Sequence, residues 1–512
     1  MFIDGTFMLK LIRRIFATVT AVGLTLLLLD ISGALAGWSW LAKLQFLPAL
    51  LSLNLVVVAL LVGLTLLFGR IYCSVICPLG VLQDLIAHVG RTGRRNPYSY
   101  SRAHNIVRYV VLAVFVAAMA AGIGSIPALL APYSSYARMV TMLLQPLYTM
   151  ANNGLATVAE GMGSYAFREH EVWMRGLPTF VVTLSTLLII GVLAWRGGRT
   201  YCNTICPVGT VLGQLARAAW LKVWFDAEKC KKCGACSRNC KASCLDFKEG
   251  KVDYSRCVVC GNCLEKCNFG ALHYGHPEKK TTTQKLETNK EGQTVKKEAE
   301  GNPDMGRRTF LTGIGVAMAT AGMAQTIKKV DGGLTVIEDK REPARSTRIV
   351  PPGARSLRNF ASRCTGCQLC VSKCPNGVLR PSGDLLTMMQ PVMSYERGYC
   401  RPECTACSEV CPTGAIVRID RAEKSSIQIG HAVWRKEGCV VLTDSVECGN
   451  CARHCPTGAI SMVDFERTDG SKTKIPAVDE AKCIGCGECE YLCPARPLAA
   501  IYVEGHEMHR FI

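Results

Sequence analysis

The chain has 512 residues, which is enough for about three domains, and 49% of them are apolar. With a positive mean hydropathy of +0.19, this composition excludes an intrinsically disordered protein and is unusual for a soluble enzyme. The formal net charge of +19 is compatible with nucleic-acid binding, but a chain of this length builds its core without disulfides, so its 29 cysteines need another explanation.

Four apolar runs in the N-terminal part predict membrane-spanning helices. The runs are Ile15–Ala36, Phe46–Phe68, Tyr109–Leu130 and Leu177–Trp195, and Asp30 is the only charge among them. Each would extend about 28–35 Å as a helix, close to the ~30 Å hydrocarbon core of a bilayer. Buried helices of a soluble protein are the alternative. We predict an α-helical membrane domain over residues 1–224, with four spans in two pseudo-symmetric halves.

Basic residues flank these runs unequally. Lys10, Arg13 and Arg14 precede the first run. Further arginines, including Arg70, Arg108 and Arg199, lie between the second and third runs or after the fourth. Because lysine and arginine are enriched on the cytoplasmic side, the N-terminus and these two segments are predicted to be cytoplasmic. The domain would then lie in the cytoplasmic (inner) membrane.

Two segments, Gly69–Gly80 and Gly198–Gly209, repeat the pattern Gly-Arg-x-Tyr-Cys-x3-Cys-Pro-x-Gly. Their cysteines are Cys73, Cys77, Cys202 and Cys206. A spacing of four residues puts both thiols of a pair on one helix face. Two such faces brought together would supply four sulfurs for a metal centre. Two redox-active dithiols and a purely structural role are the alternatives.

A cysteine-rich module occupies residues 225–276. Its two runs are Cys230, Cys233, Cys236 and Cys240, and Cys257, Cys260, Cys263 and Cys267. In two-cluster ferredoxins three close thiolates bind one cubane, and the fourth crosses to the neighbouring cluster. That rule joins Cys267 to the first three thiols and Cys240 to the second three. Cys244 is left over, either as a replacement for Cys240, which Lys241 rather than proline follows, or as a spare thiol.

Two segments separate this module from the next. Residues 277–305 are rich in Lys, Thr and Glu, which predicts a polar linker. In residues 306–327, Arg307-Arg308-x-Phe310-Leu311 and the apolar run Thr312–Ile327 match a twin-arginine export signal or a marginal fifth span. An ordinary basic flank is the alternative.

A larger cysteine-rich module occupies residues 328–512. Its four runs are Cys364, Cys367, Cys370 and Cys374; Cys400, Cys404, Cys407 and Cys411; Cys439, Cys448, Cys451 and Cys455; and Cys483, Cys486, Cys489 and Cys493. Zinc sites more often use two Cys-x2-Cys pairs or mixed Cys/His sets. The 24 cysteines of the six runs therefore predict six [4Fe–4S] clusters in two α+β ferredoxin-like modules. The cluster charge would offset roughly 12 of the positive charges, which argues against nucleic acid as a partner.

The motifs resemble two known protein families. Residues 1–275, with the apolar runs, the two Cys-x3-Cys-Pro repeats and a two-cluster tail, resemble the NapH type of membrane quinol dehydrogenase and its NosR-like and polyferredoxin relatives. Residues 306–512 resemble the NapG/MauM type of ferredoxin, through the twin-arginine-like motif, Pro351–Ala354 and the long gap between Cys439 and Cys448. The whole chain is similar to a fusion of the two.

This resemblance implies a membrane-bound iron–sulfur protein that oxidises a quinol and passes electrons to a partner. The partner would be a periplasmic nitrate reductase-like protein, another molybdoenzyme or a cytochrome, with the first module cytoplasmic and the second periplasmic. Resemblance to the iron–sulfur subunits of molybdoenzymes also implies which runs share clusters in the second module. Cys364, Cys367 and Cys370 would join Cys493; Cys483, Cys486 and Cys489 would join Cys374; Cys400, Cys404 and Cys407 would join Cys455; and Cys439, Cys448 and Cys451 would join Cys411.

The quinol site is poorly marked. Asp30, Asp84, His88, His104 and His170 lie near the ends of the predicted spans. An ionisable residue inside a membrane is a functional candidate by default, so Asp30 and then His88 are the catalytic candidates. Two other functions stay open: a membrane-bound reductant for the maturation or maintenance of another metalloenzyme, and reverse electron flow into quinone.

Overall fold

The computed structural model describes residues 2–30, 33–91, 98–164, 167, 169–170, 172, 176–226, 228–276, 330–331, 335–336, 338–467 and 470–512. The chain forms two units, Met1–His276 with Asp339–Ile512, and Pro277–Glu338. The described strands of the smaller unit are an antiparallel pair, Val330–Asp331 with Thr335–Val336. The predicted linker, 277–305, and the predicted twin-arginine segment, 306–327, lie outside the described residues.

Helices dominate the N-terminal part of the larger unit. The longer ones are α1 (Phe2–Leu29), α2 (Leu55–Phe68), α3 (Pro78–Arg91), α4 (Asn105–Ala121), α5 (Pro132–Met139), α6 (Gln145–Gly161), α7 (Leu177–Gly197) and α8 (Pro207–Arg217). Shorter helical segments are Ala36–Ser39, Trp40–Lys43, Phe46–Leu51, Tyr72–Val75, Ser125–Leu130 and Thr200–Thr204.

Two described helices are long and apolar enough to cross a membrane, Lys10–Leu29 of α1 and the whole of α7. Helices α2 and α4 are apolar but have only 14 and 17 residues. The second predicted run is interrupted because Asn54 caps α2, its side chain accepting the Val57 N–H at 3.3 Å. The third run is interrupted where Gly122 ends α4 in a left-handed conformation. The four-span domain therefore stays a prediction.

Helix α5 is buried along its whole length. Pro132 begins it, at a position where the missing N–H costs no helical hydrogen bond. A π-helical turn, Val140–Leu144, continues it into α6. Helices α3 and α7 pack against α5, so the chain between α4 and α6 passes through the interior of the helical bundle.

The first module is small. Its strands β1 (Lys222–Phe225) and β2 (Leu272–Gly275) pair antiparallel, and a second short pair joins Leu245–Asp246 to Lys251–Val252. Two one-turn helices, Ala235–Arg238 and Asn262–Glu265, each contain the third cysteine of a run.

The second module has a larger set of strands. β3 (Ile427–Trp434) pairs with β6 (Ile501–Phe511), and β4 (Ile460–Glu466) forms a hairpin with β5 (Lys472–Val478). A short hairpin pairs Leu379–Pro381 with Pro391–Met393. The helical segments are Leu357–Arg363, Leu369–Ser372, Ala406–Val410, Arg421–Ser426, Lys436–Gly438, Val440–Thr443, Asn450–Arg453 and Glu488–Leu492.

The first module contacts one end of the helical bundle. It reaches the C-terminal ends of α2 and α7 and the N-terminal end of α4. The hydrogen bonds are from Tyr274 Oη to Phe68 O (3.1 Å), from Arg199 N to Lys241 O (2.8 Å) and from Arg108 Nη1 to Ser255 Oγ (3.0 Å).

The second module contacts the opposite end of the helical bundle. It reaches the C-terminal ends of α1 and α4 and the N-terminal ends of α2 and α7. The contacts are the Asp30–Lys373 ion pair, the hydrogen bond from Ser125 N to Leu386 O (3.3 Å), and the packing of Gly414 near Ser52 and of Gly176 near Pro381. The four apolar helices therefore separate the two cysteine-rich modules.

Candidate metal centres

The first module gathers its run cysteines into two places. Cys230, Cys233, Cys236 and Cys267 line a cavity of about 330 Å³, which we name the outer thiol site. Cys257, Cys260 and Cys263 line a second cavity of about 350 Å³, together with Cys240 and Cys244. We name this the inner thiol site, because its loops contact the bundle.

Cys244 is part of the inner thiol site. Its sulfur lies 3.6 Å from that of Cys240, and it also hydrogen-bonds Cys257. The bond from Cys244 is the main reason that the pKa of Cys240 falls to about 6. Cys240 also interacts electrostatically with Cys260 and Cys263, and it ends the Cys-x3-Cys spacing of its run. This placement favours Cys240 as the fourth ligand and Cys244 as a hydrogen-bond donor to it.

The second module gathers its cysteines into four thiol sites, and the pairing differs from the one that the resemblance implied. The sets are Cys364, Cys367, Cys370 with Cys411; Cys400, Cys404, Cys407 with Cys374; Cys439, Cys448, Cys451 with Cys493; and Cys483, Cys486, Cys489 with Cys455. The first run thus exchanges its last cysteine with the second run, and the third with the fourth. The predicted exchange of the first with the fourth run, and of the second with the third, is wrong.

Local hairpins explain this pairing. The hairpin Leu379–Pro381 with Pro391–Met393 folds the second run back onto the first, and the β4–β5 hairpin does the same for the third and fourth. Each neighbouring pair therefore closes over a short loop, which costs less chain entropy than joining the first run to the last.

The donor sets fit iron–sulfur clusters. Burial raises the pKa of several of these thiols, to about 11 for Cys236 and Cys451 and to about 12 for Cys367 and Cys486. Such thiols stay protonated at neutral pH unless a metal replaces the proton. Four sulfurs around a cavity with largely apolar walls are therefore suited to a cationic iron core.

Single-ion sites are absent from the described ranges. No group there of three or more His, Cys, Asp or Glu side chains lies close enough to hold one metal ion. Cubane ligands lie farther apart than the ligands of one ion, because four irons lie between them. The absence of a single-ion group among the described residues is therefore compatible with cubane ligation.

A further site lies inside the bundle. The sulfurs of Cys73, Cys77, Cys202 and Cys206 interact electrostatically with one another, and each residue is only 3–4% exposed. Gln83 Nε2 donates to Cys202 Sγ at 3.2 Å. The structure therefore brings the two Cys-x3-Cys-Pro pairs together, and we name this the bundle thiol site.

Two buried arginines hold the bundle thiol site together. Arg70 donates to the carbonyl oxygen of Cys202 at 3.2 Å, and Arg199 donates to the carbonyl oxygen of Cys73. Arg70 Nη2 also lies 3.6 Å from Cys73 Sγ. Each half of the repeat thus supports the other, and two guanidinium charges would offset the negative charge of a cluster held there.

These contacts change the interpretation of several arginines. Arg70, Arg108, Arg138 and Arg199 are the largest fully buried side chains of the described residues. The sequence interpretation counted Arg70, Arg108 and Arg199 as loop charges that orient the bundle. Because these arginines are buried among carbonyl groups, their positions do not indicate which end of the bundle is cytoplasmic.

Helix α5 lies between the bundle thiol site and the second module. Tyr201, within electrostatic range of Cys206, donates its hydroxyl to Leu130 O at 3.0 Å, two residues before α5 begins. On the other side, Tyr133 and Arg138 of α5 are within electrostatic range of Cys367. One short segment thus connects two thiol sites.

The quinol candidates do not form one site. Asp30 pairs with Lys373 at the second-module end, and its carboxylate also accepts N–H groups from Gly33 (3.0 Å) and Leu35 (2.8 Å). His88 is exposed on α3, which packs against Trp195 at the first-module end.

The other candidates lie apart from these two. Asp84 pairs with Arg199 at 2.6 Å and with Lys241 at 2.5 Å. Burial alone would raise the pKa of Asp84, but those two charges hold it well below its usual range. His104 occupies the position before α4 without a side-chain capping hydrogen bond, and the backbone of His170 hydrogen-bonds the Asn153 side chain.

Iron–sulfur domain families match several parts of the chain. A 4Fe-4S binding domain matches residues 52–97 and 179–227, each of which contains one Cys-x3-Cys-Pro repeat. A 4Fe-4S dicluster domain matches residues 363–415 and 446–496, and another matches 253–378. The segment 363–415 contains both the first and the second run, which agrees with the pairing in the structure.

The curated relatives include several ferredoxin-type proteins. The methylamine utilization ferredoxin-type protein MauM of Paracoccus denitrificans (strain Pd 1222) is 31% identical over 186 residues, which are 35% of this chain and 81% of MauM. The chain belongs to this ferredoxin-type family. In Escherichia coli (strain K12), the ferredoxin-type proteins NapF and NapG are each 29% identical, over 35% and 37% of this chain and 99% and 82% of their own lengths.

This member of the ferredoxin-type family is therefore an iron–sulfur electron-transfer protein with several 4Fe–4S binding domains. The relatives match about a third of the chain, so the NapH-type resemblance of the N-terminal part stays a prediction. No solved structure matches the chain.

Sequence reasoning missed the residues that support the bundle thiol site. Gln83 carries no signal, because a single glutamine on an amphipathic helix is ordinary. Arg70 and Arg199 did carry one, since they occupy the same position in the two repeats, three residues before the first cysteine.

Proposed function

We propose that this ferredoxin-type protein is membrane-bound and moves electrons from a quinol to a partner reductase or cytochrome. The placement of the thiol sites carries the proposal: the two modules contact opposite ends of the same apolar helices, and the bundle thiol site lies between them. When bound, a [4Fe–4S] cluster supplies a one-electron carrier at each site, while the protein sets its position and surroundings.

The outer surface of the bundle supports membrane binding. Apolar side chains such as Val56 on α2 and Ile106 on α4 are about four-fifths exposed, at 79% and 81%. Such exposed apolar helix faces are expected in lipid, not in water. Exposed tryptophans lie near both ends of the bundle, as in the interfacial belts of membrane proteins. They are Trp38 and Trp40 at one end, and Trp195 and Trp220 at the other.

The two ends of the bundle would face different compartments. Lys10 and Arg13 lie in the N-terminal half of α1, at the first-module end, which favours the cytoplasm for that module. The second module would then be periplasmic in an inner membrane, in keeping with the twin-arginine-like motif before it. The quinone pool would be the donor, and the partner would meet the second module.

We propose six clusters in the modules and a seventh centre at the bundle thiol site. Three observations support the seventh centre: four buried thiols converge, two arginines lie beside them, and a 4Fe-4S binding domain matches both repeats. Two redox dithiols or a structural role are the competing functions of these cysteines.

Iron analysis tests the seventh centre. We expect about 28 iron atoms per wild-type chain, and about 24 after Cys73→Ser, because one cubane loses a ligand. Ser74→Ala, which changes the neighbouring buried residue, is the matched control and should keep the wild-type iron content. Equal iron in the wild type and the Cys73→Ser variant would rule out the seventh centre.

A redox titration followed by electron paramagnetic resonance tests the direction of flow. Reduction of the clusters by a quinol analogue, in protein reconstituted into nanodiscs, is the expected result. If every midpoint potential lies far below that of the quinone pool, quinol oxidation is excluded. The reverse flow into quinone, or a reductant for maturation of another metalloenzyme, would then take its place.

A further inference from the structure

The outer thiol site contains the most exposed cysteine among the described residues. Cys233 is the only exposed one of the 29 cysteines, all of which lie in described ranges. The inner thiol site is closed by the bundle, where Val259 packs near Gly69. Electron transfer between proteins needs close approach, so the outer thiol site is the natural point of exchange with a soluble partner.

The rim of this site is positively charged. Lys231, Lys232 and Lys266 line the cavity and are exposed, and no acidic residue lines it. Of the acidic residues close to this site in the sequence, Asp226 pairs with Lys229, Glu265 pairs with Lys10, and Glu228 is exposed. A bound cluster with its thiolates would contribute roughly −2, which leaves the rim positive.

An apolar side chain lies within this basic rim. Phe269 lines the same cavity and is 42% exposed, with Lys231 Nζ 4.9 Å from its ring centroid. An aromatic residue surrounded by charges of one sign is typical of a small, transient interface whose partners are brought together by electrostatic attraction. The basic residues that line the cavity are therefore complementary to an acidic surface on a partner.

We propose that the outer thiol site is a docking surface for a small, acidic iron–sulfur protein that exchanges single electrons with this chain. The inference rests on the proposed electron-transfer function and adds a second partner, at the opposite end from the reductase. A [4Fe–4S] cluster held at the outer thiol site would accept the one electron that the reduced carrier loses, so one carrier is oxidised for each electron gained.

Binding measurements with charge-reversal variants test this surface. The full-length protein in neutral-lipid nanodiscs is titrated with a plant-type [2Fe–2S] ferredoxin, an acidic probe, at several salt concentrations. We expect Lys231→Glu/Lys232→Glu to weaken binding about tenfold or more, and wild-type affinity to fall as salt increases. The matched control is Lys472→Glu/Lys474→Glu on β5, an equal charge change at exposed positions, which should stay within about twofold.

The iron content and the visible absorbance should be unchanged in both variants, which would establish that the outer thiol site is intact. Unchanged affinity of the Lys231→Glu/Lys232→Glu protein would overturn the proposal. The proposal would also be overturned if anionic nanodiscs, but not the carrier, protected Lys231 and Lys232 from an amine-reactive label. That result would assign the basic rim to lipid binding. Failure of quinol-driven reduction with intact carrier binding would instead count against the proposed function alone.

Discussion

The inner thiol site has five thiols, although a cubane takes four. Cys240 and Cys244 both line it, and the sulfur of Cys244 hydrogen-bonds those of Cys240 and Cys257. Hydrogen bonds to cluster sulfurs stabilise the reduced, more negative state. Cys244 therefore has the position of a residue that tunes the potential of a cluster it does not ligate.

Replacement of Cys244 by alanine should keep the iron content and make the midpoint potential of one cluster more negative. A hydrogen bond worth about 1 kcal/mol corresponds to about 40 mV for one electron. Titration followed by electron paramagnetic resonance measures the shift, and Cys244→Ser, which keeps a donor, should recover part of it. Loss of about four irons from the alanine variant would instead make Cys244 a ligand.

At the scale of elements, the two repeats act as one interlocked unit. Each repeat is a short helix followed by a Cys-Pro turn into α3 or α8, and each arginine reaches the carbonyl of the other repeat. This requires that the first turn of α8 approach a backbone carbonyl closely. A Cβ on Gly209 would overlap the oxygen of Cys202 and lie 2.9 Å from Arg70 Nη2.

Gly209→Ala should therefore destabilise the bundle by about 1–3 kcal/mol, the usual cost of overpacking a close-packed core. Gly191→Ala is the matched control: this glycine is also helical, in α7, but nothing lies within 4 Å of its Cβ position. There the better helix propensity of alanine should leave stability equal or slightly higher. Thermal unfolding of the detergent-solubilised proteins measures the stability of both variants. Equal melting temperatures for Gly209→Ala and the wild type would contradict the close approach at Gly209.

At the scale of the whole molecule, a buried ion pair attaches the second module to the bundle. Asp30 follows α1, Lys373 belongs to the first cysteine run of the second module, and their side chains are only 6% and 3% exposed. Removing one partner of such a pair leaves an uncompensated buried charge, which typically costs about 3–5 kcal/mol.

Asp30→Asn should thus weaken the attachment, and Asp30→Asn/Lys373→Met should restore much of it, because no unpaired charge is left. Limited proteolysis of the full-length protein measures how readily the second module separates. The same pair of variants tests the quinol hypothesis for Asp30. If Asp30 accepts a proton from quinol, both variants reduce their clusters slowly; if it only attaches the module, the double variant recovers.

Some features of the site were predictable because they depend on local spacing. The grouping of the close cysteines within a run follows from the geometry of one loop, and the crossover of Cys240 and Cys267 in the first module follows from the rule for two-cluster ferredoxins. The pairing in the second module did not follow, because four runs allow several exchanges and the hairpins that decide between them have no motif. The lengths of α2 and α4 were overestimated, since hydropathy does not register the cap at Asn54 or the left-handed Gly122.

The sequence by itself determined the chemistry of this protein: which thiols occur in ferredoxin-type runs, that two Cys-x3-Cys-Pro repeats are related, and that apolar helices accompany them. Only the tertiary structure decided how these parts combine. It brought the two repeats together around four buried sulfurs, buried Arg70 and Arg199 between them, and placed the modules at opposite ends of one bundle. The physical reason is that spacing along a chain specifies local geometry, whereas contacts between distant residues depend on how whole helices and hairpins pack.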